Sequence, residues 1–219
     1  MRAPPVIRGG TVVRSLFLVA GLALFALGIV LLLESELGLS PWDVLNQGVS
    51  ERSPLSFGAA NVAVALVVLL AAWRLGARIG PGTVANAVLI GVLVDLCLRW
   101  DAVTGLSESS LPARATMLLA GILVIGVGSA FYIGANVGAG PRDSLMLVLS
   151  LRSGTRVGVV RTLLEVSVTV AGFALGGTVG IGTLAFAVGI GPAIELAFWL
   201  LDRSPLAAPA ALAAAQPRC

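Results

Sequence analysis

Gly38-Leu39-Ser40-Pro41-Trp42-Asp43-Val44-Leu45 and Gly138-Ala139-Gly140-Pro141-Arg142-Asp143-Ser144-Leu145 stand 100 residues apart in a chain of 219. Glycine, proline, aspartate and leucine coincide at matched positions of the two stretches. The register extends outward without a gap. Laid on residues 14–100, residues 114–200 give about 26 identities in 87 positions. Gly76, Gly80, Gly82 and Thr83 fall on Gly176, Gly180, Gly182 and Thr183, and Asp95 falls on Glu195. An internal duplication in apolar sequence marks a membrane protein made of two related halves, and such proteins usually place their working site between the halves.

Composition agrees. The chain is 58% hydrophobic and 11% charged, with 27 glycines. A soluble domain carries about 25% charge. Six apolar spans are predicted, at roughly 15–33, 55–73, 81–99, 115–134, 157–175 and 181–201. Each suits a hydrocarbon layer of about 30 Å at 1.5 Å per residue. The first is no cleaved signal, because Glu34-Ser35-Glu36 follows it where small residues belong. Cys97 and Cys219 imply no disulfide framework, and histidine is absent.

All 14 basic residues are arginine. With a cytoplasmic N-terminus, Arg2, Arg8, Arg14, Arg74, Arg78, Arg142, Arg152, Arg156, Arg203 and Arg218 collect on one side. Arg52, Arg99 and Arg114 collect on the other, and Arg161 lies inside a span. This asymmetry places both termini in the cytoplasm and turns Glu34, Glu36, Asp43 and Glu51 outward. The expected fold is therefore all-α and polytopic. Residues 1–13 form a cytoplasmic segment, 14–100 the first repeat, 101–113 an external loop, 114–203 the second repeat, and 204–219 a disordered Ala/Pro tail. Three spans per repeat is an odd number, so the second repeat enters the membrane inverted.

Both quoted stretches read as helix starts. Ser40 can cap, Pro41 suits a first turn, and Asp43 occupies a capping-box position. The segments that follow, 44–49 and 144–151, are too short to span and read as half-helices. Asp43 and Asp143 then either fix a helix start or, with two half-helix N-termini, face a central solute. Gly80-Pro81-Gly82-Thr83 and Gly180-Ile181-Gly182-Thr183 read as tight turns into spans 3 and 6, and not as phosphate loops, lacking the Lys-Ser/Thr ending. Gly21 and Gly28 recur as Gly121 and Gly128, and Gly172 with Gly176 forms a GxxxG. These read first as close packing within the chain and second as a homodimer contact.

Asp95, Arg161, Glu165 and Glu195 lie inside spans, where ionisable residues are costly and are functional candidates by default. Helical rise puts Asp95 about 10 Å from the outer edge, level with Asn61 at about 9 Å. It puts Glu195 about 10 Å from the inner edge, between Arg161 at about 6 Å and Glu165 at about 12 Å. Two repeat-equivalent pairs are expected, Asn61–Asp95 and Arg161–Glu195. Asp95, with only an amide beside it, is the candidate proton-carrying or cation-coupling residue. Both pairs would serve equally as static ties between helices.

GLSPWDVL, GPGT, GAGPRDSLM, VRTLLE and GGTVGIGT together resemble the YczE family of bacterial integral membrane proteins, related to the YitT group. The resemblance covers residues 14 to 201. It implies a multi-pass inner-membrane protein of no settled biochemical activity, and it carries over no substrate and no catalytic residue.

Two functions are consistent with these features. The first is a secondary transporter or permease for a small solute, using Asp95, Asn61, Arg161, Glu165, Glu195, Asp43 and Asp143. The second is a non-transporting scaffold or regulator of another membrane component. An enzyme is not expected: no metal-ligand cluster and no nucleophile–base spacing is present. No cofactor is implied. The expected partners are the lipid bilayer, a small solute and a second copy of the chain, and not nucleic acid.

Overall fold

The computed structural model describes residues 5–100, 103 and 105–208. Among the described residues, α-helices run in the order α1 (Thr11–Ser35), α2 (Pro41–Glu51), α3 (Phe57–Arg74), α4 (Pro81–Cys97), α5 (Leu111–Gly134), α6 (Pro141–Ser153), α7 (Val157–Ala174) and α8 (Ile181–Asp202). A 3₁₀ turn at Leu106–Glu108 precedes α5. Five helices are long and apolar enough to cross a membrane: α1, α3, α5, α7 and α8. The fourth, α4, is apolar but has 17 residues. Large apolar side chains stand on the outer surface, among them Val67, Leu119, Leu163, Val170 and Val188, which suits a lipid surround. The chain is a multi-pass membrane protein. The expected tail beyond Ala208 lies outside the described residues.

Ser40 and Pro41 start α2 as expected. The Asp43 N–H donates to Ser40 Oγ at 3.3 Å, and the Ser40 hydroxyl donates in turn to Asp43 Oδ2. Gly140 takes the same place before α6 and supplies no side-chain cap.

The central pair is α1 and α5. A Cβ built on Gly21 would lie 2.8 Å from the Gly128 carbonyl, and one on Gly28 would lie 2.9 Å from the Gly121 carbonyl. Gly21 opposite Gly128 and Gly28 opposite Gly121 makes the two helices antiparallel. Small residues allow this approach, and without a hydrophobic driving force in lipid close packing is what joins helices. Leu22, Ile29, Leu32, Ile122 and Ile125 fill the core around the seam. The GxxxG reading of the second half is corrected in part. Gly172 does pack, against the backbone of Leu45 in α2. Gly176 has φ 105° and belongs to the turn after α7, where the helix has already ended.

Each half holds the start of a helix in the other half. The Gly182 N–H donates to the Leu37 carbonyl at 2.7 Å, and the Gly82 N–H donates to the Val137 carbonyl at 3.2 Å. Gly38 (φ 122°) and Gly138 (φ 149°) make the turns that allow it, each pressed against a Gly–Thr helix start.

Candidate functional site

A cavity of about 330 Å³ lies between the halves. The starts of α2 and α6 supply its polar wall with Ser40, Trp42, Asp43, Arg142 and Asp143. Asn61 of α3, Asn86 of α4, Tyr132 of α5, and Arg161 and Glu165 of α7 complete that wall. Phe25, Ile90, Ile125, Phe186, Ile190 and Phe198 form an apolar wall.

The two short helices meet start to start. The Arg142 guanidinium lies over the Trp42 ring, 5.0 Å from its centroid, so equivalent positions of the repeated motif touch across the molecule. Asp43 is buried, at 1% exposure, and accepts from Ser40 and from Asn46 Nδ2 at 3.2 Å. Asp143 accepts from the Tyr132 hydroxyl at 3.0 Å. Arg142 interacts electrostatically with both aspartates. Arg161 and Glu165, one turn apart on α7, form an ion pair at 2.8 Å. Asn61 is buried, and its Nδ2 makes no hydrogen bond. A buried amide donor left without a partner is costly, by about 1–3 kcal/mol.

Five of the seven expected residues thus line one cavity: Asp43, Asp143, Asn61, Arg161 and Glu165. The other two do not. Asp95 is not paired with Asn61. Its carboxylate accepts from the Gly58 N–H at 2.8 Å and from the Ser56 hydroxyl, and so caps α3 one turn before Asn61. The first N–H groups of a helix have no partner within it, and a carboxylate satisfies them better than a side-chain amide. Arg161 bonds Glu165, its own helical neighbour, in place of Glu195, which is exposed. The expected outward-facing acidic loop also loses a member. Glu34, Glu36 and Glu51 flank a shallow hollow, whereas Asp43 is turned into the central cavity.

Tyr132, Trp42, Arg142 and Asn86 were not among the expected site residues. The first is the chain's single tyrosine, a weak signal. Arg142 belongs to the repeated motif, but as an arginine beside a turn it reads as an orientation charge.

The family described as "Family of unknown function (DUF6198)" matches residues 12–198. An uncharacterized protein of Haemophilus influenzae is 35% identical over 188 residues, covering 86% of this chain and 84% of its own. The uncharacterized membrane protein YczE of Bacillus subtilis is 33% identical over 185 residues, covering 81% of each. The uncharacterized protein YyaS of the same organism is 30% identical over 166 residues, covering 75% of this chain and 82% of its own. No solved structure matches the chain.

Proposed function

We propose that this chain, which belongs to the DUF6198 family and is a relative of YczE, is a secondary transporter or permease for a small organic solute. The carrying observation is the cavity between the halves. Its volume of about 330 Å³ falls at the lower end of the roughly 300–1,000 Å³ typical of small-molecule sites. Its walls hold three carboxylates and two guanidiniums at the junction of two helix starts, beside apolar side chains. Charges buried in a membrane protein mark solute and ion pathways. The mixture of signs suits a compact solute that carries an ammonium group, alone or with an anionic group, on a partly apolar body.

The proposed architecture is two inverted repeats of three crossings. Three observations support it. Gly21–Gly128 and Gly28–Gly121 exchange under a 100-residue shift, as contacts across a pseudo-two-fold axis would. The bonds Gly82–Val137 and Gly182–Leu37 exchange likewise. Finally, the Arg8 N–H donates to the Leu206 carbonyl and the Ala208 N–H to the Val6 carbonyl, both at 2.7 Å. Chain ends joined on one face require an even number of crossings. Five long helices therefore call for α4 as the sixth, although it spans only about 25 Å. The arginine asymmetry puts that face in the cytoplasm.

The test begins with thermal denaturation of the purified protein against a panel of small ammonium, zwitterionic and anionic solutes. A solute that binds the folded state raises the midpoint with concentration. The expected solute stabilises the wild type, is taken up by proteoliposomes, and does neither with Asp143→Asn. The alternative is a scaffold or regulator. A folded protein that binds and moves nothing in the panel, yet crosslinks to one consistent membrane partner, would establish that reading instead.

A further inference from the structure

We infer that the two halves exchange conformations, with the α3–α4 seam shut and the α7–α8 seam parted in this structure and the reverse in a second state. The inference rests on the transporter reading and deepens it by naming the gates.

The shut seam has three parts. Gly58 of α3 lies directly against the Gly91 carbonyl of α4. Asp95, one turn beyond Gly91, accepts from the Gly58 N–H at 2.8 Å. The Ser56 hydroxyl bonds the other oxygen of the same carboxylate.

Every part has a counterpart in the second half: Gly158, Gly191, Glu195 and, in place of Ser56, Arg156. None of them is engaged across the α7–α8 seam. A Cβ built on Gly158 or on Gly191 would meet nothing within 4 Å. Arg156 and Glu195 are exposed, and Arg156 starts α7 without a side-chain cap.

In this state the counterparts are a burden. A glycine inside a helix weakens it unless a close neighbour needs the space, and neither Gly158 nor Gly191 has one. An exposed carboxylate in a span is costly, and Glu195 is one. A second state removes all three costs together. If α7 and α8 close as α3 and α4 do here, Gly158 meets Gly191 and Glu195 receives the Gly158 N–H and the Arg156 guanidinium. Pro192, inside α8 beside Gly191, withholds one helical hydrogen bond at that level and provides a place to bend. The cavity agrees with the assignment. Its α7 wall is open, with the Arg161 and Glu165 side chains 48% and 30% exposed, whereas Asp43 on the far wall is 1% exposed. Alternate opening of the two sides of a fixed central site is how inverted repeats give access to each face of a membrane. Asp95 and Glu195 are thus assigned as the latch acids of two gates.

The experiment needs no solute. In a Cys97→Ser, Cys219→Ser background, Met146→Cys puts one thiol on the cavity wall. The protein is reconstituted in oriented vesicles, and a membrane-impermeant maleimide is applied to one face at a time. The parent should label chiefly from the face where α7 begins. Asp95→Ala removes the standing latch and should raise labelling from the opposite face by about tenfold or more, the population shift expected when the charge-assisted bonds from the Gly58 N–H and the Ser56 hydroxyl are lost. Gly158→Leu has open space in the present state and blocks closure of α7 on α8, so it should abolish labelling from the opposite face while the protein stays folded. Labelling from the α7 face alone, unchanged in both variants, would overturn the exchange and leave the central-site reading standing. Labelling from neither face would mean a sealed cavity, and both readings would fall.

Discussion

Gly58 and Gly158 hold the same place in the repeat, yet substitution by alanine should shift stability in opposite directions. At Gly58 a Cβ would come 2.5 Å from Asp95 Cγ. That is about 1 Å inside the separation of roughly 3.5 Å at which carbon atoms make favourable contact. Either α3 and α4 part along the seam or Asp95 leaves the start of α3. Overpacking of this kind costs about 1–3 kcal/mol, and loss of the carboxylate bond costs about 1.5–3 kcal/mol. The better helix propensity of alanine returns only about 0.5 kcal/mol so close to a helix start. Gly58→Ala should therefore be destabilising by about 1–2 kcal/mol. At Gly158 nothing lies within 4 Å of the new methyl, so the propensity gain of about 0.5 kcal/mol stands alone. The two variants should differ by about 2 kcal/mol. Reversible unfolding in mixed micelles, followed by far-ultraviolet circular dichroism against the mole fraction of denaturing detergent, measures this difference. Midpoints shifted in the same direction by similar amounts would refute the claim that one seam is shut and the other parted.

Two further outcomes follow from the turns. Gly38→Ala puts a side chain at φ 122° and a methyl 2.8 Å from the backbone nitrogens of Gly180 and Thr183; the strain should cost about 1–3 kcal/mol and speed hydrogen exchange at the Gly182 amide. Ser40→Ala removes the cap of α2 at about 1 kcal/mol and one partner of the buried Asp43 at about another 1–3 kcal/mol; a midpoint within about 0.5 kcal/mol of wild type would count against the bonded Ser40–Asp43 pair.

The helices were legible because apolar runs of this length have few alternatives in water or lipid. The half-helices were legible because proline before an acid, after a turn residue, starts a helix and does little else. The cavity was legible in part. Asp43 and Asp143 were readable as residues that two helix starts would aim inward. Arg161 and Glu165 were readable as charges one turn apart in a span. No hydrogen bond joins Asn61 to Asp95; helical rise gives depth but says nothing of competition. The unsatisfied N–H groups at Gly58 lie one turn away from Asn61 and bind a carboxylate more strongly. The Arg161–Glu195 pairing failed because it assumed both halves adopt one conformation. Gly158 and Gly191 match Gly58 and Gly91 in the repeat, so the glycines themselves do not tell which pair meets. Arg142 was misread because arginines near turns normally report sidedness, and this one lies over Trp42 instead.

The hydrogen bonds joining Arg8 to Leu206 and Ala208 to Val6 bear on how the chain is threaded. Beginning and end are already neighbours, so a short linker from Ala208 to Pro5 would close the polypeptide into a ring. Opening that ring between Ser109 and Ser110, just ahead of α5, gives a circular permutant in which the second half is made first. Every helix would keep its neighbours, while the new ends would lie on the face opposite the one where Arg8 meets Leu206.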